Sequence, residues 1–374
     1  MAVGSARVEA ANGAARKRLP PDRIPLQWEQ VTPEWMTAAL RPRHPGARVS
    51  EVSLVTRDDG TNRRARFGLT YAEGSGPRTV FLKAHAAGHR ITHLRNGNLW
   101  NEARLFAAGA DLPVDHPLVY KSIVDLLGLD FLLVMEDLNQ RGADPRDATR
   151  PMTVEQVANG MRGLARLHSR YWGVSRTSDA RFRWLKTWKP TKGWQVGLRA
   201  RIPRGLERAG SSLPEAVSRL TADQVVAYWS RYVATLATGP VTLVHADAHI
   251  GNTYVLPDGE VGFLDWQVVR RGRWSQDVGY FLVSALTEED RRRNDRALIE
   301  IYRQALDVPD DQRPSAEAAW LEYRATPVYG LAIWLSTLGT DGWQSREVCQ
   351  ALAERYAAAF VELGSLSALE AIGA

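Results

Sequence analysis

The chain has 374 residues, of which 44% are apolar and 24% charged, and its formal net charge is +6. This composition excludes a disordered protein and suits two compact parts, because domains cluster at roughly 100–200 residues. One cysteine, Cys349, rules out an internal disulfide and a four-thiolate zinc site.

The modest basic excess suits an anionic ligand such as a nucleotide and does not call for nucleic acid. No apolar run approaches the roughly 20 residues that span a bilayer. Residues 1–20 read as a disordered tail. They lack the apolar region of a secretory signal, so a cytoplasmic protein is expected.

In chain order, Thr32 as N-cap and Pro33 in the first turn predict a helix that ends near Leu40, before Pro42 and Pro45. Strand-like runs follow at 49–55, 64–71 and 79–84, joined by turn-forming segments at 58–62 and 73–77. A helical stretch at 95–108 precedes strands at 118–127 and 131–135, with Gly128 between them. Residues 21–138 therefore read as an antiparallel sheet plus a helix, and residues 139–374 as mainly helical. Helices are predicted at 153–172, 221–236, 288–305, 316–338 with a break or kink at Pro327, and 346–363. The class is α+β.

The stretch that carries chemistry runs from Leu243 to Asp265. Apolar Leu243-Val244 leads into the polar loop His245-Ala246-Asp247-Ala248-His249-Ile250-Gly251-Asn252, and a hairpin follows. With Asp258-Gly259 as a two-residue loop, Asn252 and Asp265 face one another across the hairpin. Such a pair of oxygen ligands suits a hard cation such as Mg²⁺. Asp247, on the same loop, can accept a proton from a substrate hydroxyl.

His245-x-Asp247-x-x-x-x-Asn252 followed by Asp265 resembles the catalytic motif of the aminoglycoside phosphotransferase, choline kinase and ecdysteroid kinase-like family. The resemblance implies a two-lobed protein-kinase-like fold: an N-lobe over 21–138 that binds nucleotide, and a C-lobe over 139–374 with the catalytic hairpin and substrate helices. It further implies an ATP- and Mg²⁺-dependent kinase acting on a small-molecule hydroxyl, with no nucleic-acid or membrane partner. Asp247 is then the catalytic base, Asn252 and Asp265 hold the metal, and His245 and Asp277 brace the loop. Lys83 matches the strand lysine that holds the phosphates, and Glu102 its helix partner. Glu136, Asp137 and Leu138 match the hinge that meets the adenine. No G-x-G-x-x-G covers the phosphates, so Gly60, Thr61 and Asn62 are the candidate cover.

Two departures stand out. Ala246 occupies a position that is usually glycine, which matters if the backbone there requires φ > 0. The DFG-like triplet is Asp265-Trp266-Gln267. A rival reading joins His245, Asp247 and His249 with His85, His89 and His93 in a metal-dependent hydrolase, but it gives Lys83, Glu102 and the Asn252–Asp265 pair no role. A second rival is a nucleotide-binding pseudokinase. Residues 181–208 hold nine Lys/Arg and one acid, Glu207, with Trp184, Trp188 and Trp194 interleaved. A neutral or anionic acceptor such as a glycoside or nucleoside suits this region better than a polycationic aminoglycoside, while the resemblance implies an acceptor of glycoside, nucleoside or amino-alcohol type. Tyr329, Trp334 and Trp343 are further candidate lining residues.

Overall fold

The computed structural model describes residues 19–59, 62–86 and 99–373. The described residues form two compact units, one drawn from Met1–Gly88 and Val119–Glu136, the other from His89–Leu118 and Asp137–Ala374. The sequence-based division keeps 21–138 together; by compactness the segment carrying Glu102 groups with the larger unit.

In the smaller unit, helix α1 (Pro33–Leu40) starts as expected, with the Thr32 hydroxyl accepting from the Trp35 amide at 3.3 Å. Five antiparallel strands follow: β1 (Arg48–Asp59), β2 (Asn62–Glu73), β3 (Thr79–His85), β4 (Val119–Asp125) and β5 (Asp130–Glu136). They are ordered β1-β2-β3-β5-β4. β3 and β5 are central and nearly continuous in apolar residues, as strands covered on both faces must be. Val80 and Leu82 of β3 pack with Leu132 and Val134 of β5 and with Trp35 and Met36 of α1 in one core. Leu19, inside the expected tail, packs against that core. The rest of the tail, residues 1–18, lies outside the described residues.

The larger unit is mainly helical. It opens with α2 (Asn101–Ala107) and a two-residue strand, β6 (Asp144–Pro145). α3 (Val154–Arg170) begins at a capping box formed by Thr153 and Gln156. α4 (Lys192–Ala209), α5 (Glu215–Ser218) and α6 (Ala222–Thr235) follow. Short strands β7 (Thr242–Val244), β8 (Thr253–Val255), β9 (Val261–Phe263) and β10 (Arg270–Gly272) carry the chemistry-bearing stretch. They form a β6-β8-β9 sheet and a β10-β7 pair. Helices α7 (Ser275–Ala285), α8 (Glu288–Ala305), α9 (Ala316–Ala325), α10 (Pro327–Leu338), α11 (Arg346–Glu362) and α12 (Ser365–Ala371) complete the unit.

Pro327 does break the predicted long helix, beginning α10 at a position where its missing N–H is harmless. No described helix is long and apolar enough to cross a membrane.

Helices α4 and α10 cross almost backbone to backbone. A Cβ at Gly205 would stand 1.9 Å from the Leu335 carbonyl oxygen, and one at Gly339 would stand 2.2 Å from that of Arg201. Gly205→Ala should therefore destabilise by about 1–3 kcal/mol, the range for overpacking, although alanine in an open helix gains about 1 kcal/mol over glycine. Gly197→Ala in the same helix meets only the end of the Arg201 side chain, at 3.1 Å, and should be neutral or stabilising. Urea denaturation of both variants checks the contrast.

Candidate active site

Strand β7 ends in an apolar run, and the chain then turns sharply. Ala246 sits at φ 68°, in the left-handed region. The proviso attached to this position is thus met: the backbone needs φ > 0 where the sequence supplies a Cβ. Left-handed geometry costs an L-residue about 1–2 kcal/mol, so other interactions must hold the turn.

They come from Asp277 in the first turn of α7. Its Oδ2 accepts from the His245 amide at 2.6 Å and its Oδ1 from the Ala246 amide at 2.7 Å. The carboxylate is wholly buried. His168 Nε2 lies 3.2 Å from Oδ2, and Nδ1 of the same ring lies 2.8 Å from the Tyr302 hydroxyl. The Gln276 side chain donates to the Ala246 carbonyl at 3.3 Å. Both ends of the left-handed peptide are therefore held from one helix turn.

His245 reaches across to the hairpin, its Nε2 donating to the Leu264 carbonyl at 2.7 Å, while Nδ1 accepts from the Asp247 amide at 3.2 Å. Burial pushes its pKa down, so the ring is a neutral brace. His249 accepts from the Gly251 amide at 3.0 Å, and burial pushes it down to about 4. Both rings are tied to the local backbone, which does not favour the hydrolase reading. His85 is buried beside Phe131 in the smaller unit, whereas His89 and His93 lie outside the described residues. No group of three or more His, Cys, Asp or Glu suited to a metal occurs among the described residues.

The hairpin register differs from the expectation by one residue. Thr253 pairs with Phe263, Tyr254 with Gly262 and Val255 with Val261. The loop has three residues, Pro257-Asp258-Gly259, closed by the Leu256 amide to the Glu260 carbonyl at 2.9 Å, with Gly259 at φ 88°. Proline has no N–H to donate to the ladder, so pairing stops at Leu256. Asn252 consequently meets Leu264, whose amide donates to the Asn252 carbonyl at 2.8 Å, and is not opposite Asp265.

Asn252 turns instead to the catalytic loop. Its Nδ2 donates to the Asp247 carbonyl at 2.9 Å and to Asp247 Oδ2 at 3.1 Å. Asp265 follows β9 in a left-handed conformation, φ 59°, ψ 64°. The Asp247 carboxyl is raised to about 6, mainly by burial; Asp265 raises it further, while His245, Asn252 and Arg270 pull it down. Asp265 thus opposes the ionisation of Asp247, and Asn252 turns its donor group to Asp247, leaving Oδ1 as the atom that could ligate a cation. The Asp265 carboxylate and the Asn252 amide oxygen would suit a hard divalent cation.

Glu102 lies on α2, and its Oε1 accepts from the Trp266 amide at 3.3 Å, one residue beyond Asp265. Asn101 donates to the Val269 carbonyl at 3.4 Å. Sequence reasoning did not anticipate this attachment of α2 to the segment after Asp265.

In the smaller unit, Lys83 is buried on β3, paired with Arg64 and Leu133 on its neighbours. Asn62 is buried at the start of β2 opposite His85; Gly60 and Thr61 lie outside the described residues. Glu136 ends β5, and Asp137 caps the following turn, accepting from the Asn139 amide at 3.2 Å ahead of Leu138.

Arg270 was also missed. It lies opposite Val244 on the β10–β7 pair, a pairing that no local pattern announces. Of the lining candidates, Tyr329 and Trp334 are buried, while Trp343 is exposed beneath Arg201.

The model of the phosphotransferase enzyme family matches residues 68–319 of the chain. No curated protein matches it. Among solved structures, a spectinomycin phosphotransferase in complex with ADP and spectinomycin is 14% identical, with a TM-score of 0.47, over 87% of this chain and 97% of that one. A choline kinase from Streptococcus pneumoniae is 13% identical, with a TM-score of 0.46, over 89% and 98%. A macrolide 2′-phosphotransferase from Brachybacterium faecium is 18% identical, with a TM-score of 0.42, over 85% and 98%.

Asp277→Asn replaces one acceptor oxygen by an NH₂ group and turns a buried hydrogen bond into a donor–donor clash. A stability loss of about 3 kcal/mol is expected, the scale for breaking a buried charged network. Denaturant unfolding measures it.

Proposed function

The chain belongs to the phosphotransferase enzyme family, and from this premise we propose that it moves the γ-phosphoryl group of ATP to a hydroxyl of a small molecule. It is an enzyme of the small-molecule kinase type. The observation that carries the reading is Asp247: a carboxylate raised to about 6, clamped by Asn252 and set beside Asp265.

Asp247 accepts the acceptor's hydroxyl proton while the hydroxyl oxygen bonds to the γ-phosphorus and the bond to the departing ADP breaks. Asn252 holds Asp247 through two hydrogen bonds and keeps the base at one orientation. Asn252 and Asp265 are the residues that would hold magnesium. The ion, when bound, neutralises charge on the phosphate oxygens. His245 ties the loop to the hairpin, and Asp277 ties it to α7.

The roles of the remaining residues are those implied by the family resemblance. Lys83 acts on the phosphates with Glu102 as its counter-charge; Gly60, Thr61 and Asn62 act as phosphate cover; Glu136, Asp137 and Leu138 act at the adenine. ATP is a cytoplasmic cosubstrate, so the reaction belongs there. The acceptor is a hydroxylated glycoside, nucleoside or amino alcohol.

Asp247→Asn should lower kcat by about 10²–10⁴-fold, the range for general base catalysis, while ATP with Mg²⁺ still raises the thermal midpoint. Transfer that persists in the variant refutes the base assignment. Nucleotide binding by the wild-type chain without transfer to any acceptor marks a pseudokinase instead. The pH profile adds a second check. Asp247 must be ionised to take the proton, so kcat/KM should rise with pH through a midpoint of about 6 and level off above it.

A further inference from the structure

Arg270 carries a half-buried charge that the reaction scheme leaves unused. Its guanidinium lies over Trp188, with Cζ 3.8 Å from the ring centroid. Its Nε donates to the Val268 carbonyl at 2.9 Å. Among the described residues it forms no ion pair, and its Nη groups make no hydrogen bond. Its backbone pairs with Val244, just before the catalytic loop. Asp247, Asp277 and Tyr329 all act on it electrostatically, and burial pushes its pKa down to about 10, which leaves it charged at neutral pH.

A half-buried cation that forms no ion pair is costly, and stacking satisfies only the face of the plane. The in-plane N–H fork is the geometry that receives an anion bidentately.

The surroundings are aromatic. Trp188 packs edge-on against Tyr329 at 5.2 Å and Trp229 at 6.0 Å. Tyr329 meets Tyr280 at 5.2 Å, and Tyr280 meets His249, two residues beyond Asp247, at 5.8 Å. Two polar groups in this wall are almost wholly buried without a hydrogen-bond partner: the Trp229 indole N–H and the Tyr280 hydroxyl. The Trp334 indole approaches Tyr280 but does not make a well-formed hydrogen bond with it. Buried donors without partners, beside a fixed guanidinium and a base, are what a polar ligand completes.

We propose that Arg270, laid on Trp188 next to Asp247, is the specificity-determining group of the acceptor site, and that the acceptor is a ring-bearing alcohol carrying a carboxylate. This rests on the phosphotransferase reading above and, of the acceptor types named there, disfavours the amino alcohol. The anion pairs with the guanidinium fork, the ring packs among the aromatic side chains, and the hydroxyl reaches Asp247. An amine in the place of the carboxylate meets a like charge.

The test uses three matched alcohols: 4-(hydroxymethyl)benzoate, 4-(hydroxymethyl)benzamide and 4-(hydroxymethyl)benzylamine. Binding is read by tryptophan fluorescence and transfer by ADP formation with ATP and Mg²⁺. The carboxylate is expected to bind saturably and to exceed the amine by at least about tenfold in Kd, as a charge-assisted pair should. Arg270→Gln should lower the carboxylate-to-amide ratio by at least about tenfold, and Arg270→Lys should restore part of it.

The proposal is overturned if the amine binds best or no anion-selective saturation appears. It is also overturned if Arg270→Gln lowers all three alike, because Arg270 then does not discriminate by charge. Failure of the phosphotransferase reading looks different: the carboxylate still saturates, but ATP with Mg²⁺ gives neither a thermal shift nor ADP.

Discussion

Asp277 places a negative charge in the interior of the larger unit, where no lysine or arginine forms an ion pair with it among the described residues. Two peptide N–H groups and the His168 imidazole take up that charge. In return the carboxylate fixes Ala246 in a conformation that its side chain disfavours. Everything downstream on the loop depends on that turn: the Asp247 amide reaches back to His245, and Asn252 clamps the Asp247 carboxylate. The strain is local, and the interactions that offset it come from α3, α7 and α8.

The charges around Asp247 are arranged in opposition. Burial and Asp265 favour its protonated form, whereas Asn252, His245 and Arg270 favour the ionised one. The balance brings the group close to physiological pH, where a base is ionised yet retains affinity for a proton. His245 and His249 are held neutral by burial, so neither imidazole competes for the role. Arg270 contributes a fixed positive charge that does not titrate at neutral pH.

Much of this was legible in the chain because the signals are local. Thr153, Thr221 and Thr287 begin their helices as N-caps, Pro327 divides the long helical run, and α8 spans the predicted residues 288–305. The spacing of His245, Asp247, Asn252 and Asp265 singled out one loop, on which the structure brings Asn252 to Asp247. Features set by distant contacts were not legible. The hairpin slipped by one residue because Pro257 cannot join the ladder. Helix α7 is buried on every side, so it shows no polar–apolar period to detect. Arg270 reaches the site through the β10–β7 pairing, and Glu102 meets Trp266 from far along the chain.

The smaller unit is built from two stretches of chain separated by residues that belong to the other unit. Its sheet places β3 against β5, so during synthesis the first three strands emerge before the partner that closes their inner edge. Until Glu136 has been made, the row from Val80 to Ala84 presents open backbone groups on an apolar strand. Such an edge invites pairing with another chain. The segment 89–118 is therefore a timing element as well as a connector: its length sets how long a nascent chain carries an unfinished sheet.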